Sequence, residues 1–346
     1  MKHQTTRYGE IPFYKIGTFG NTADAFISKK LFLEYKTKYS FPKKGDILIS
    51  ASGTIGRAVI YDGKPAYFQD SNIVWIDNDE TLVKNDFLFY AYSNIKWNTE
   101  HTTILRLYND NFRNTLIPLP PLNEQNAIAN ILSDLDRYLC ALDALILKKE
   151  GVKKALSFEL LSQRKRLKGF NQAWQKVRLG DIANYLTSNL SVEQITQQGK
   201  IKVYDVNNFI GYTDTTFISD KPYISIVKDG SVGRVRILPP KTNILSTMGA
   251  LIANHRTTTE FLFYLLSNFD FKNFTSGSII PHIYFKDYKE KTIFLPPLNE
   301  QITIANILSD LDKEIASLKN KKRQFENIKK ALNHDLMSAK IRVLEK

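Results

Sequence analysis

The chain has 346 residues, 43% hydrophobic and 24% charged, which is enough for two domains with a core in each. No apolar run nears the roughly 20 residues of a membrane span, MKHQTTRYGE holds no apolar signal core, and the single Cys140 excludes an internal disulfide or a cysteine-clustered metal site, so a reduced, cytoplasmic protein is expected. The net charge of +13 points to a polyanionic partner, and its spread (+3 over residues 1–118, +3 over 119–168, +4 over 169–294, +3 over 295–346) suits a long one touched by both halves.

The first 118 residues are β-rich. GDILISASGTIGRAVIY (Gly45–Tyr61) reads as strand, glycine turn, strand, and AYFQDSNIVWID (Ala66–Asp77) continues the sheet. Gly53 and Gly56 allow a tight turn close to a partner, with Thr54 between them and Arg57 following. A lone G-x-x-G-R is weak evidence, since most such turns are only hairpins. HTTILRLYNDNFRN (His101–Asn114) follows, carrying Arg106 and Tyr108, and reads either as a polar recognition segment or as a solvated loop.

LPPLNEQNAIANILSDLD (Leu119–Asp136) then opens a long helix. Pro120-Pro121 stop what precedes, and Asn123 sits where an N-cap is expected. Apolar residues recur at spacings of four and three: Ile128, Leu132, Leu135, Leu139, Leu142, then Leu145, Val152, Leu156 and Leu160. That 3.5-residue seam is a coiled-coil pattern, about 60 Å long at 1.5 Å per residue.

Residues 169–294 repeat the β-rich pattern: YISIVKDGSVGRVRIL (Tyr223–Leu238), TNILSTMGALIAN (Thr242–Asn254), then GSIIPHIYFKDYKE (Gly277–Glu290). GSVGR (Gly230–Arg234) answers GTIGR at an offset of 177, FLFYLLSN answers FLFYAYSN at 174, and LPPLNEQITIANILSDLD (Leu295–Asp312) matches the helix start at 176, identical at sixteen of eighteen positions. His282 aligns with Arg106 and Tyr284 with Tyr108. Ordered blocks at near-constant offsets imply one unit used twice. The second helix repeats the seam at Ile304, Leu308, Leu311, Ile315, Leu318, Phe325, Ile328, Leu332 and Leu336, interrupted by Lys322 as Lys149 interrupts the first. Neither helix buries its stripe alone, so antiparallel pairing is expected, with a parallel homodimer as the alternative. The first domain has nothing to match AWQKVRLGDIANYL (Ala173–Leu186).

Catalytic signatures are missing. There is no P-loop, no glycine-rich dinucleotide fingerprint and no Asn/Asp-Pro-Pro-aromatic tetrad for holding a flipped base. His3, His101, His255, His282 and His334 show no metal-ligand spacing. A non-enzyme is expected.

The doubled LPPLNEQ followed by I-A-x-I-L-S-x-L-D, with GDILIS…GTIGR and WQKVRLGDIA, resembles the specificity (S) subunits of type I restriction-modification systems over nearly the whole chain. The departure is the short N-terminus. The resemblance implies an α+β chain: two tandem β-rich α/β target recognition domains separated by two long conserved helices forming an antiparallel coiled coil, pseudo-two-fold. The segments would be domain 1 at 1–118 (N-terminally short), helix 1 at 119–168, domain 2 at 169–294 and helix 2 at 295–346. It implies recognition of a bipartite asymmetric site on double-stranded DNA, and docking of two modification (methyltransferase) subunits and of restriction (endonuclease/translocase) subunits. S-adenosylmethionine, ATP and Mg would belong to those partners, with no cofactor here and no membrane. Residues expected on the DNA face are Thr54, Arg57, Arg106, Tyr108, Lys228, Ser231, Arg234, Arg236, Ser278, His282 and Tyr284. Rival readings are a basic coiled-coil scaffold that reads no DNA, and a nuclease or methyltransferase in its own right.

Overall fold

Residues 4–68, 72–97 and 106–344 are described in a computed structural model; His3, His101, residues 69–71 of the expected strand and residues 101–105 of the pre-helix segment lie outside them. The chain divides into two compact units, Met1–Asp143 with Asn320–Lys346, and Ala144–Lys319, so each unit takes one half of each long helix.

In the first unit β1 (Ile11–Tyr14) pairs antiparallel with β2 (Ala25–Ile27), and a helix absent from the sequence reading, α1 (Lys29–Lys38), follows with its first turn capped by Ser28. β3 (Ile47–Ser50) lies between β4 (Ala58–Ile60) and β6 (Ile73–Ile76), both antiparallel, while β5 (Tyr67–Phe68) joins β1 in parallel. Helices α2 (Asn85–Tyr92) and α3 (Asn109–Arg113) lead to α4 (Leu122–Leu161).

In the second unit β7 (Gln175–Arg178) and β8 (Ala183–Thr187) come first. β9 (Ile201–Tyr204) and β10 (Phe209–Thr213) repeat the β1–β2 pair. β11 (Tyr223–Val227), β12 (Val235–Leu238), β13 (Thr242–Ile244) and β14 (Met248–Ala253) repeat β3 to β6 in the same pairings, with β8 added as a fourth strand beyond β14. Then come α5 (Thr259–Ser267), the short hairpin β15 (Thr275–Ser276) and β16 (His282–Ile283), α6 (Phe285–Tyr288), β17 (Thr292–Leu295), which pairs with β7, and α7 (Leu298–Met337).

The long helices pair antiparallel within each unit. In the first, Lys329 reaches Asp136, Lys322 reaches Asp143 at 2.7 Å, and Tyr138 packs on Phe325. In the second, Lys153 reaches Asp312 and Lys149 reaches Glu314 at 2.8 Å. The buried seam differs in phase from the expected one. Leu145, Val152 and Ile328 are 38%, 45% and 51% exposed, while Ile146 is buried. Lys149 and Lys322 hold the seam positions expected of them, and Lys153 and Lys329 stand where Val152 and Ile328 were expected. A lysine stem lines apolar surface while its ammonium reaches a carboxylate on the facing helix, so a seam position does not require leucine.

The near-identical helix starts do long-range work. Both helices begin one residue before the expected asparagine cap: the Pro121 carbonyl accepts from the amides of Glu124 and Gln125, and Asn123, already inside the first turn, accepts from the Glu124 amide at 2.9 Å. Asn299 does the same for Glu300. The buried Gln125 carboxamide accepts from the Lys84 amide at 2.8 Å, the start of α2, and donates to the carbonyls of Leu82 and Pro120. Gln301 treats Thr258, Arg256 and Pro296 alike at the start of α5. Glu124 accepts from Arg342 beyond the end of α7, and Glu300 from Arg166 beyond the end of α4. Leu132, at the centre of the first unit's helical core, is buried among Phe87, Tyr90, Ile128 and Leu336; Leu308 is its counterpart among Phe261, Ile304 and Leu160.

Leu132→Ala should lower unfolding free energy by about 2–5 kcal/mol, whereas Leu145→Ala should cost under about 1 kcal/mol, as read by urea denaturation. The Arg342 guanidinium holds the Glu124 carboxyl below its ordinary range. A carboxyl whose pKa falls on folding stabilises above its unfolded pKa, about 4.3, and that contribution fades as pH drops through the lower folded value. The difference in urea midpoint between wild type and Arg342→Met should therefore shrink between about pH 5 and pH 3.

Candidate nucleic-acid interface

Each G-x-x-G-R turn joins two antiparallel strands, and each is closed by the same backbone bonds. The Gly56 amide donates to the Ser50 carbonyl at 3.0 Å, and the Gly233 amide to that of Val227 at 2.9 Å. Gly56 and Gly233 have φ of +79° and +80°, and a Cβ would lie 2.3 Å from the Trp97 indole in one and 2.6 Å from the Phe271 ring in the other. Both requirements leave room only for glycine, so each turn rests on an aromatic floor.

The pre-helix segment is bonded directly to this turn in both units. Ser52 and Arg106 form an antiparallel bridge, with the Leu107 amide donating to the Ala51 carbonyl at 2.8 Å. Asp229 and His282 form the equivalent bridge, flanked by Gly230 N–H to the Pro281 carbonyl and Ile283 N–H to the Lys228 carbonyl, each 2.9 Å. The two candidate segments are thus one surface in each unit, although about 50 residues separate them in sequence.

In the first unit Thr54 and Arg57 are exposed on the turn, and Arg106 and Tyr108 are exposed on the bridged segment. Arg57 donates to the Phe19 carbonyl at 2.9 Å. A guanidinium carries five N–H donors, so one such bond aims the group without exhausting it. In the second unit Ser231 and Arg234 are exposed and Lys228 and Arg236 half-buried. Arg234 donates to the Asn207 side chain at 2.7 Å, and Arg236 donates to the Asn207 carbonyl at 2.8 Å while lying 5.3 Å over the Tyr204 ring. Ser278 is exposed on the loop between β15 and β16. His282 Nδ1 lies 2.6 Å from the Asp229 carboxylate, and its ring stacks with that of Tyr284, over which Lys286 sits at 5.5 Å.

The sequence reading missed Asn207, Tyr204 and Asp229, the groups that orient these side chains. Asp229 carries a signal, since it directly precedes the GSVGR turn that aligns with Ser52-GTIGR. Asn207 and Tyr204 carry none, because their contacts with Arg234 and Arg236 are side-chain contacts between two different sheets. Behind the surface Tyr185 stacks on Phe285 at 4.6 Å, and burial first, then the Asp229 charge, raises its hydroxyl pKa, so it stays protonated. Among the described residues no group of three or more His, Cys, Asp or Glu is placed to hold a metal, and no helix is long and apolar enough to cross a membrane.

The surface therefore offers forked donors, a hydroxyl-rich turn and a histidine held by a carboxylate, all on backbone fixed by hydrogen bonds. Such a set suits phosphates and base edges. The model of the type I restriction modification DNA specificity domain matches twice, at residues 1–149 and 171–327. A putative type I restriction enzyme specificity subunit of Haemophilus influenzae is 63% identical over 137 residues, 39% of this chain and 36% of that relative. A putative type I restriction enzyme specificity subunit of Methanocaldococcus jannaschii is 28% identical over 86% of this chain and 79% of its own length. The solved structure of a type I restriction-modification S subunit from M. genitalium matches in fold over 97% of this chain and 91% of that one, with a TM-score of 0.63 at 20% identity.

Gly233→Ala should destabilise the chain by about 1–3 kcal/mol, because it combines backbone strain with a clash against Phe271. Ser231→Ala, two residues away and exposed, should stay within about 0.5 kcal/mol. Thermal unfolding of the two variants checks the contrast.

Proposed function

The chain belongs to the type I restriction-modification DNA specificity family, and we propose that it reads a bipartite, asymmetric sequence on double-stranded DNA without catalysing a reaction itself. One observation carries this reading: in both units the glycine turn and the pre-helix segment are bridged into one basic, polar surface, with different side chains at equivalent places. Ser52 and Arg106 stand in one where Asp229 and His282 stand in the other. Equal scaffolds with unequal side chains suit two different half-sites.

In this reading Arg57, Arg106, Arg234, Arg236 and His282 contact DNA, with Thr54, Tyr108, Lys228, Ser231, Ser278 and Tyr284 around them. The arginines make charge-assisted bonds to phosphate or guanine. The paired helices fix the unread spacer and present the docking surface for two methyltransferase subunits, which restriction subunits join. S-adenosylmethionine, ATP and Mg are handled by those partners.

Co-expression with a type I methyltransferase subunit and genome-wide mapping of methylated adenines should reveal a bipartite motif. A methylation pattern unchanged by the presence of the chain would contradict the reading. Arg234→Ala should weaken binding to the mapped site by about 1–3 kcal/mol and relax one position of one half-site. A basic scaffold would instead lose affinity equally on all sequences, in step with salt.

A further inference from the structure

A third segment joins the bridged surface of the second unit. The turn between β9 and β10 is locked by Asp205, whose carboxylate accepts from the amides of Asn207 at 2.8 Å and Asn208 at 2.6 Å. The Asp205 amide donates in turn to the Asn208 carbonyl at 3.0 Å. Asn207 also meets two arginines: its side-chain oxygen accepts from Arg234 at 2.7 Å and its backbone carbonyl from Arg236 at 2.8 Å. Amide, carbonyl and side chain of one exposed residue are thus all tied down. Asn208 and Phe209 are exposed beside it, with Lys202 lying 6.0 Å over the Phe209 ring.

The contact with Arg234 also settles which way the carboxamide points. A guanidinium donates and never accepts, so the atom facing it is the oxygen Oδ1. Nδ2 is therefore turned away from Arg234, and among the described residues no group accepts from it. A side chain needed only to hold an arginine would do so better as a carboxylate. Asparagine instead presents a donor beside an acceptor, the pattern complementary to N7 and the N6 amino group of adenine in the major groove. Oδ1 has two lone pairs, so one can stay with Arg234 while the other accepts from a base. The first unit builds the corresponding contact differently. Arg57, the counterpart of Arg234, reaches the loop between β1 and β2 but binds the Phe19 backbone carbonyl. That loop covers residues 15–24, where the second unit has only residues 205–208. The anchoring arginine is common to both units and the loop it anchors is not.

We propose that Asn207 is a specificity-determining residue that reads an adenine in the half-site of the second unit. Nδ2 donates to N7 and Oδ1 accepts from the N6 amino group. Asp205 and Arg236 hold the backbone of Asn207 and Arg234 holds its side chain, so little freedom is lost when the base is met. A bidentate pair of this kind discriminates against the wrong base by roughly 5–150-fold. The inference rests on DNA reading by this surface and names the base that one of its residues selects.

The test maps the methylated motif that the full chain directs with a type I methyltransferase subunit. Binding of wild type and variants is then measured on duplexes carrying each base pair at every adenine position of that motif. Asn207→Asp keeps an acceptor for Arg234 but cannot donate to N7. Its preference at one position should pass from adenine to cytosine, whose N4 amino group donates, with a thermal midpoint no lower than that of the wild type. Asn207→Ala should lose about fivefold or more of the discrimination at that same position and leave the other half-site unchanged. Wild-type base preference in both variants would overturn the proposal and leave the DNA reading intact. So would a loss equal on all sequences, as for a phosphate contact, or relaxation only at the position that Arg234→Ala relaxes. A wild-type chain that directs no bipartite motif would overturn both.

Discussion

Everything in this fold hangs on the first turn of each long helix. Asn123, Glu124 and Gln125 occupy three consecutive positions and serve three different elements: their own helix, the arginine beyond the far end of the facing helix, and the first turn of α2. Gln125 and Glu124 are buried, and a buried amide or carboxylate left unpartnered costs far more than a satisfied one gains. The three therefore act as a joint that is most stable when helix, β-rich domain and antiparallel partner are all in place. Asn299, Glu300 and Gln301 repeat the joint with equivalent partners. The near-identity of the two helix starts follows from this geometry.

A second tie reinforces the joint about three turns further along each long helix. Tyr90 donates its hydroxyl to Asp136 at 2.8 Å while Lys329 reaches the same carboxylate, and Tyr264, Asp312 and Lys153 repeat the trio. Burial first, then the carboxylate, pushes both tyrosine pKa values up, so each hydroxyl remains a donor at any working pH. Rigid mounting serves the proposed reading of DNA, because specificity at a bidentate contact depends on fixed geometry. Variation is left to the turn and the bridged segment, where the supporting bonds are backbone to backbone and tolerate exchange of side chains.

Much of this was legible in the sequence because repetition is legible. The doubled LPPLNEQ, the recurring glycine turns and the 3.5-residue seam identified two domains and two long helices. The seam's phase was not, because a hydrophobicity reading takes Leu145 and Val152 on either side of Lys149, whereas the structure continues through Ile146, Lys149 and Lys153. Helix α1 was missed because its Leu-Phe-Leu core sits in a lysine-rich stretch with no counterpart in the other copy. The bridge between turn and pre-helix segment was beyond reach, since a backbone pairing between residues 52 and 106 leaves no trace in local composition. The partners of Arg234 and Arg236 were hidden too, because they lie in another sheet about 30 residues away in sequence.

The proposed function requires two unlike readers on one duplex, at a separation set by the helices. Deleting one heptad from each helix at facing positions, residues 143–149 and 316–322, removes about 10 Å of rise, or about three base pairs of B-form DNA. Mapping the methylated motif of that variant with its methyltransferase subunit tests the claim most directly. The account predicts unchanged half-sites with a spacer shortened by about three base pairs. An unchanged spacer, or altered half-sites at the original spacing, would contradict it.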